Sequence, residues 1–425
     1  MRVELAYGRT WLPVDLPDGI TDVVVPKFVE GVADEAHALR EALRNPIGSP
    51  PVKDLVKSGD KVAIVFCDGT RPMPSSRVLP VLLDELEQVA GIEIVLINAL
   101  GTHRRNTEAE LNQILGEEIA NKYTIVQSYC DEDDAYEKVG VFANGPDVKL
   151  RREYIEADER ITTGFIEPHF FAGFSGGPKL VAPGVASRDT IMHLHNPDLI
   201  GDPRSVWGLS YRENNPLSQT VLEVAKMCPP HFSLNVALNK HHDITGVFAG
   251  DLEKAHQVGI EFVRGTAMQA VPEPYDIVIT TNSGYPLDQN LYQTVKGLSA
   301  AAKIVKDGGV IIAAAECSDG YPDHGNYREM LTESHSMACF LQNMREERFD
   351  VTDRWQVQVQ AMVHQKADVY LHTSGLTDAE VEGAHIRPCH DIGALVSKLV
   401  AERGPDVRIC VLPEGPQTIP YVKGE

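Results

Sequence analysis

Apolar segments that alternate with helical segments limit the folds open to this chain more than any other feature of its sequence. Residues 61–66 (Lys-Val-Ala-Ile-Val-Phe) and residues 92–99 are nearly continuous apolar runs, and the pattern at residues 76–90 between them indicates a helix. Such runs are typical of strands that are buried on both faces of a parallel sheet. The pattern therefore predicts βαβ units with right-handed crossovers, and hence an α/β fold with mostly parallel sheets.

The length of the chain predicts two such domains. Its 425 residues exceed the size of one ordinary core, and Pro272 and Pro274 interrupt the chain just before a new apolar strand. We expect a first domain at residues 1–270 and a second α/β domain at residues 271–425, with the last ~25 residues able to pack back on the first domain. Both domains would present polar residues to a shared cleft, where we expect the active site. In the second domain the pattern predicts strands at 276–281, 309–315 and 368–371 and helices at 288–306, 328–345 and 356–365.

The composition excludes several classes of function. The formal net charge of −22 argues against a nucleic-acid partner, because phosphate backbones bind clustered Lys and Arg. The apolar runs are too short to cross a bilayer, and the N-terminus lacks the basic and apolar regions of a signal peptide. The seven cysteines are scattered and form no C-x-x-C pair, which favours free thiols. We therefore expect a cytoplasmic protein without nucleic-acid or membrane partners, with a homo-oligomer left open.

Polar residues follow the predicted strands of the first domain at the points where the strands end. Asp68 and Arg71 come directly after the first strand, and His103 follows the second. Residues 161–165 form a third predicted strand, and His169 follows it. Ligands of open α/β sheets bind beyond the carboxyl ends of the strands. The sequence therefore predicts that these side chains meet at one edge of the sheet, where each histidine is either an acid/base or an ordinary loop residue.

A glycine-rich segment after His169 leads into a lysine. The turn at residues 173–177 (Gly-Phe-Ser-Gly-Gly) is either a backbone-amide nest for phosphate or a structural turn, and it lacks the Gly-Lys-Ser/Thr pattern of a P-loop. Lys179 follows in an apolar, proline-flanked setting. Its amine is either a nucleophile toward a carbonyl or a counter-ion for phosphate.

Two histidines, His193 and His195, come shortly after this lysine. Residues 187–191 resemble the start of a helix, on which positions i and i+2 diverge. One of these imidazoles is therefore a more plausible metal ligand than both together, and a structural role is the alternative.

Cationic and amide side chains provide possible anion contacts. Arg71 offers a planar fork for a carboxylate, or it forms a structural pair with Asp68. Gln289, Gln293 and Lys296 share one face of the helix predicted at residues 288–306. Lys296 is either an anion partner or an exposed helix lysine.

Taken together, these motifs resemble the nickel-dependent lactate racemase family over most of the chain. The histidine–glycine–lysine block is the specific part, and the order and spacing of the other motifs support it. The resemblance rests on Asp68-Gly-Thr-Arg71-Pro, Gly101-Thr-His103-Arg, the block from His169 through Lys179 to Gly184, His195, Tyr292-Gln293-x-x-Lys296, and Trp355.

The resemblance implies a cofactor and roles for the residues around it. The cofactor would be a nickel-pincer nucleotide, a pyridinium mononucleotide that is covalently attached through Lys179 and whose nickel is bound by His195. His103 and His169 would be the two catalytic acid/bases. Cofactor-synthesis proteins would be partners during maturation. The remaining cofactor contacts would come from Asp68, Thr70, Gly173, Ser175, Gly176 and Gly177, and the substrate contacts from Arg71, Tyr292, Gln293, Lys296 and Trp355.

The implied reaction is inversion at C2 of a small 2-hydroxy acid by a racemase or epimerase. One histidine would take the hydroxyl proton while the C2 hydride moves to the cofactor, and the 2-keto acid would be reduced again on its other face. Two alternatives remain at this point. One is a zinc-dependent hydro-lyase or Schiff-base aldolase that uses His193, His195 and Lys179, and the other is a non-catalytic protein that binds a nucleotide or another anion.

Overall fold

The structure is a computed structural model that describes residues 1–322, 325–346 and 349–424. Its strands are β1 (Arg2–Tyr7), β2 (Thr10–Asp15), β3 (Thr21–Val23), β4 (Lys61–Cys67), β5 (Glu93–Ala99), β6 (Thr124–Gln127), β7 (Tyr136–Val141), β8 (Asp147–Arg151), β9 (Glu159–Phe165), β10 (Pro168–His169), β11 (Gly173–Phe174), β12 (Phe232–Leu238), β13 (Ile244–Gly250), β14 (Met268–Val271), β15 (Tyr275–Thr281), β16 (Val305–Ala314), β17 (Ala367–His372), β18 (Arg387–Pro388), β19 (Ile409–Leu412) and β20 (Ile419–Val422).

The helices are α1 (Glu35–Arg44), α2 (Val52–Leu55), α3 (Ser75–Leu86), α4 (Glu108–Leu115), α5 (Glu117–Lys122), α6 (Arg152–Ile155), α7 (Arg188–Leu194), α8 (Pro197–Gly201), α9 (Pro216–Met227), α10 (Leu252–Ala267), α11 (Leu291–Ala302), α12 (Tyr327–Glu333), α13 (Met337–Asn343), α14 (Arg354–Lys366), α15 (Asp378–Gly383) and α16 (Ile392–Arg403). Within the described ranges, none of these helices has both the length and the apolar character needed to cross a membrane.

The chain forms two compact units. Unit I comprises Phe28–Leu199 and Pro203–Gly265, and unit II comprises Met1–Lys27, Ile200–Asp202 and Thr266–Glu425. Each unit is built around a six-stranded sheet, and most strand pairs in both sheets are parallel. The predicted α/β class with mostly parallel sheets is therefore confirmed.

The sheet of unit I has the strand order β13-β12-β9-β4-β5-β6. β12 and β13 are antiparallel, whereas the remaining pairs are parallel. The apolar side chains of β4 are fully buried from Val62 to Phe66, as expected for a central strand covered on both faces. All the strands of the parallel part end at one edge, and this edge carries the polar segments described below.

The sheet of unit II has the order β18-β17-β16-β15-β19-β3, with every pair parallel. The N-terminal residues, which the sequence places with the first domain, belong to this unit. Val3 and Leu5 of β1 are buried in one apolar cluster with Ile277, Ile279 and Val396, and β3 pairs with β19. The C-terminal strand β20 pairs with β14 of the same unit, so residues 419–422 pack within unit II.

Three predicted helices differ from the observed ones. In each case a residue that favours a helix cap or a turn sets a boundary of the observed helix. The helix expected at 328–345 is two helices, since the side chain of Ser336 accepts the N–H of Cys339 and starts α13 anew. The T-x-x-E pattern of Thr107 and Glu110 predicts one helix that runs to about residue 122, but Gly116, at φ 85°, separates α4 from α5. Asn290 caps α11, so Gln289 precedes the helix and does not share its face with Gln293 and Lys296.

Candidate active site

Three neighbouring strands of unit I carry the predicted site residues just beyond their carboxyl ends. Asp68 and Arg71 follow β4, His103 follows β5, and His169 follows β9. Because β4 lies between β5 and β9, the segment with Asp68 and Arg71 lies between the two segments that carry the histidines. The loop after β5 also contacts the lysine-bearing segment, because the N–H of Gly101 donates to the carbonyl of Gly184 at 3.3 Å.

Asp68 and His103 form a hydrogen-bonded pair. Nδ1 of His103 lies 2.9 Å from Oδ2 of Asp68, and the Thr70 hydroxyl donates to the same carboxylate at 2.9 and 3.0 Å. Asp68 is buried, whereas His103 is partly exposed. An ionised carboxylate only accepts hydrogen bonds, so Nδ1 of His103 carries the proton. The neutral imidazole therefore has its lone pair on Nε2, as a general base requires.

The ionisation of Asp68 is set by opposing effects. Burial raises the pKa of Asp68, but the hydrogen bond from His103, the positive charges of His103 and Arg71, and the hydrogen bond from Thr70 outweigh it. The net result is a pKa below the ordinary aspartate value. Asp68 is therefore an anion at neutral pH, and its negative charge can stabilise a positive charge on His103.

Arg71 offers a cation beside this pair. The backbone N–H of Arg71 donates to the carbonyl of Asp68 at 3.2 Å, so both residues belong to the same turn. Within the part of the chain that the structure describes, this guanidinium makes no hydrogen bond or salt bridge. It is thus available to bind a carboxylate with two parallel hydrogen bonds.

His169 lies on a two-residue ladder in which Pro168 and His169 pair with Phe174 and Gly173. The N–H of Ala172 donates to Nδ1 of His169 at 3.3 Å. In its neutral form this imidazole therefore carries its proton on Nε2. The two histidines rest in opposite tautomers, because His103 is protonated on Nδ1.

The ring of Phe171 is the centre of a cluster of predicted site residues. The ring centroid of His169 lies 4.6 Å from that of Phe171, and the centroid of His195 lies 5.5 Å from it, with both pairs edge to face. Nζ of Lys179 lies 5.9 Å from the same centroid. One buried aromatic ring thus brings together a predicted acid/base, the predicted metal ligand and the predicted attachment lysine.

His195 has the tautomer of a metal-binding imidazole. It follows the last residue of α7, and its Nδ1 donates to the carbonyl of Ile191 at 2.8 Å. Nε2 therefore carries the lone pair, and the hydrogen bond orients the ring as such bonds do in metal sites. His193, by contrast, stacks on Phe142 at 4.0 Å, and burial lowers the pKa of its imidazole.

The side chains around His195 do not form a protein-only metal site. Across residues 1–322, 325–346 and 349–424, no three His, Cys, Asp or Glu side chains are grouped so that they could bind one ion. A zinc site built from protein ligands needs at least three of them.

The glycine-rich turn uses several of its polar groups internally. The N–H of Ser175 donates to the carbonyl of Glu167 at 2.9 Å, and the N–H of Gly177 donates to Oδ1 of Asn235 at 3.0 Å. The Ser175 hydroxyl donates to the carbonyl of Phe165 and accepts the N–H of Glu167. The N–H groups of Ser175 and Gly177 are thus occupied by protein acceptors. At these two residues the turn has the structural role, and not that of a phosphate nest.

Sequence reasoning missed Asn235 and His256, which contact this turn from within unit I. Nε2 of His256 donates to the carbonyl of Ser175 at 2.8 Å. Burial lowers the pKa of His256 to about 4 against the opposing effect of this hydrogen bond, so the imidazole is neutral at physiological pH. Neither residue belongs to a local motif, and only the tertiary structure brings them to the turn.

The backbone of Gly173 has a conformation and surroundings that exclude a side chain. It has φ 74°, and a Cβ atom there would collide with the backbone carbonyl of Leu209. Gly173→Ala should therefore lower the free energy of unfolding by about 2 kcal/mol or more, measured by denaturant unfolding. Gly265→Ala, in α10 with no atom within 4 Å of the added Cβ, is the matched control and should be neutral or stabilising by up to about 1 kcal/mol. Equal stability of Gly173→Ala and wild type would contradict the steric assignment.

The predicted substrate residues of unit II lie on two of its helices. Tyr292, Gln293 and Lys296 are on α11, and Trp355 is on α14. Nε1 of Trp355 donates to the hydroxyl of Tyr292 at 3.2 Å, so these two side chains are adjacent. Gln293 and Lys296 are one helical turn apart on α11 and share a face.

Known proteins are similar to this chain over nearly its whole length. Residues 7–208 match the model of the lactate racemase N-terminal domain, and residues 270–419 match that of the lactate racemase C-terminal domain. The lactate racemase of Thermoanaerobacterium thermosaccharolyticum is 36% identical over 427 residues, covering 98% of each chain. The lactate racemase of Lactiplantibacillus plantarum is also 36% identical, covering 97% of this chain and 98% of the relative.

Solved structures agree with the sequence matches. The lactate racemase apoprotein of T. thermosaccharolyticum superimposes with a TM-score of 0.93 at 34% identity, covering 99% of this chain and 100% of the other. A protein from Thermotoga maritima has a TM-score of 0.68 at 20% identity, covering 93% of this chain and all of the other, which shows a shared fold. The chain therefore belongs to the lactate racemase family and is an isomerase of the racemase type.

Proposed function

We propose that this racemase inverts C2 of a short 2-hydroxy acid with the help of a nickel-pincer nucleotide that is attached through Lys179. Lactate, which the names of its relatives specify, is the first substrate to test. In this proposal His103 and His169 are the acid/bases, and Arg71 holds the substrate carboxylate. Tyr292, Gln293, Lys296 and Trp355 remain predicted substrate contacts.

The grouping of Lys179, His195 and His169 around the ring of Phe171 is the observation that carries the proposal. A nucleotide bonded to the lysine amine and bound through its metal to His195 needs both groups beside one another. The metal also needs an imidazole nitrogen with a free lone pair. At His195 this nitrogen is Nε2, because Nδ1 carries the proton that it donates to the Ile191 carbonyl. The residues present thus fit the group, and imidazole is a suitable ligand for nickel.

When bound, the nucleotide would supply reversible hydride-transfer chemistry at C2 of the substrate. Lys179 would hold it covalently, and His195 would provide a ligand to its nickel. The other predicted contacts of the nucleotide remain Asp68, Thr70, Gly173, Ser175, Gly176 and Gly177. The internal hydrogen bonds of Ser175 and Gly177 favour a role for that turn in shaping the pocket.

The chain's own residues move the proton and hold the substrate. His103 would take the hydroxyl proton on Nε2, and the carboxylate of Asp68 would stabilise the positive charge that the imidazole acquires. The guanidinium of Arg71 would bind the substrate carboxylate with two hydrogen bonds and keep the 2-keto acid in place.

His169 needs one further step before it can act as an acid. If it lost the Nε2 proton while Nδ1 kept its lone pair, an imidazolate would remain, which is far too basic to form here. His169 must therefore bind a second proton on Nδ1 and release the N–H of Ala172 before it donates. The two histidines are not equivalent in the resting protein, although both are used in the proposed reaction.

Protein produced together with cofactor-synthesis proteins tests the proposal. We expect nickel by elemental analysis, a covalent adduct of several hundred daltons on the Lys179 peptide by mass spectrometry, and interconversion of 2-hydroxy acid enantiomers by chiral chromatography. Lys179→Arg, which keeps the positive charge without the primary amine, should lack the adduct and lose essentially all turnover.

The alternatives predict different results in the same measurements. Bound zinc without an adduct, together with dehydration or aldol cleavage, would favour the hydro-lyase or aldolase. Nucleotide binding that survives in Lys179→Ala, with no turnover of any 2-hydroxy acid by wild type, would favour a binding protein. Either result would refute the racemase mechanism proposed here.

A further inference from the structure

The turn that carries Lys179 depends on two glycines with a left-handed backbone. Gly176 has φ 74° and Gly177 has φ 49°, and Lys179 lies in the 3₁₀ turn Gly177–Leu180 that follows. The N–H of Lys179 donates to the carbonyl of Gly176 at 3.1 Å. The direction of the lysine side chain is therefore tied to the backbone conformation of these two residues.

Two buried polar side chains hold the backbone on either side of Gly176. Oδ1 of Asn235, on β12, accepts the N–H of Gly177 at 3.0 Å, and Nε2 of His256, on α10, donates to the carbonyl of Ser175 at 2.8 Å. Asn235 is 1% exposed and His256 is 3% exposed. Hydrogen bonds in such a dry setting fix geometry strongly, because losing one leaves a buried polar group without a partner.

Both side chains also fill the space that a larger residue in the turn would need. A Cβ atom on Gly176 would lie 2.7 Å from Oδ1 of Asn235, and one on Gly177 would lie 2.5 Å from the His256 ring. Nδ2 of Asn235 donates to the hydroxyl of Ser233 at 2.9 Å, so Asn235 is itself held on the sheet. The two side chains and the two glycines thus form one close-packed support.

We propose that Asn235 and His256 are positioning residues that hold the Lys179 turn so that the lysine amine is presented for attachment of the cofactor. This inference rests on the proposed function of Lys179. The inference also explains why the turn is rich in glycine. The N–H of Gly177 is bonded to Asn235 and the N–H of Ser175 is bonded to the carbonyl of Glu167, so these two groups are not kept for a phosphate. The glycines allow the two buried side chains to approach the backbone, and the support then fixes the lysine.

The first test compares how much of the protein becomes loaded. Asn235→Leu and His256→Leu each leave a buried backbone group without its partner, and each should lower the fraction of chains with an adduct on Lys179 by about tenfold. His256→Gln, whose amide can still donate to the Ser175 carbonyl, should restore loading to near the wild-type fraction. The measurement is intact mass spectrometry after production with the cofactor-synthesis proteins.

A second readout needs no cofactor. In the apoprotein, an amine-acylating reagent labels lysines at rates that depend on their exposure, with exposed Lys57 as the internal reference. The half-buried Lys179 should be labelled several-fold faster relative to Lys57 in His256→Leu and Asn235→Leu than in wild type. His256→Gln should keep the wild-type ratio.

Ile260→Ala is the control for general destabilisation, because Ile260 is fully buried on the same helix as His256 and makes no polar contact with the turn. It should lower thermal stability without changing the Lys179 labelling ratio. Wild-type loading and labelling in both leucine variants, or equal changes in Ile260→Ala, would overturn the inference. An unloaded wild type would refute the proposed function instead, and the labelling ratios would still decide the positioning roles.

Discussion

Replacing His103 or His169 with asparagine is expected to lower the interconversion of enantiomers on the order of 10²-fold or more, while the adduct on Lys179 remains. An amide cannot take up the substrate hydroxyl proton, and it cannot deliver one to the 2-keto acid. Chiral chromatography of loaded protein measures the loss, and intact mass spectrometry verifies equal loading. The effect is large because, in the proposed mechanism, each proton transfer accompanies the hydride transfer at C2, so the loss of the acid/base slows both.

The two histidines can be distinguished by separate kcat and KM values for each enantiomer. Two enantiomers have equal free energy, so kcat/KM must fall equally in both directions in every variant. The resting tautomers differ, however, and kcat and KM should therefore change differently for the two directions in His103→Asn and in His169→Asn. His193→Asn is the control, because His193 stacks on Phe142 and should leave turnover unchanged. Full activity in either variant at a catalytic position would refute the role assigned to that histidine.

The sequence predicted the parts of the site that depend on strand ends and local motifs. Continuous apolar runs identified β4 and β5, and residues 161–165 were predicted to be the strand that is β9. The polar residues after these strands had to meet at one edge because parallel strands share their direction. The T-x-x-E pattern at Thr107 and Glu110 likewise gave a capping box that the structure confirms. Such features are encoded within a few residues of one another.

Contacts between residues distant in sequence could not be predicted in this way. The hydrogen bonds of Asn235 and His256 to the glycine-rich turn span 58 and 81 residues of sequence, and no local sequence pattern predicts them. The tautomer of His103 also depends on a distant partner, because the carboxylate of Asp68 lies 35 residues away in sequence. The burial of β1 likewise depends on residues distant in sequence, since its apolar face packs against strands of unit II.

Asp68→Asn should lower turnover on the order of 10²-fold or more even though the side chain keeps its size. The pKa of Asp68 lies below the ordinary value, so wild type has a full negative charge beside His103 at neutral pH. The neutral amide removes this charge, and its NH₂ group can donate to Nδ1 of His103, which would place the imidazole proton on Nε2. In that tautomer His103 cannot accept the substrate proton.

The tautomer gives this prediction a readout that is independent of turnover. Nitrogen-15 NMR of the imidazoles should show His103 protonated on Nδ1 in wild type and partly or wholly on Nε2 in Asp68→Asn. Thr70→Val is the graded control, because it removes one hydrogen bond to the carboxylate but keeps the charge, and it should cost about tenfold or less. If Asp68→Asn kept both the Nδ1 proton and wild-type turnover, Asp68 would be a structural partner of the turn, and His103 would act without help from its charge.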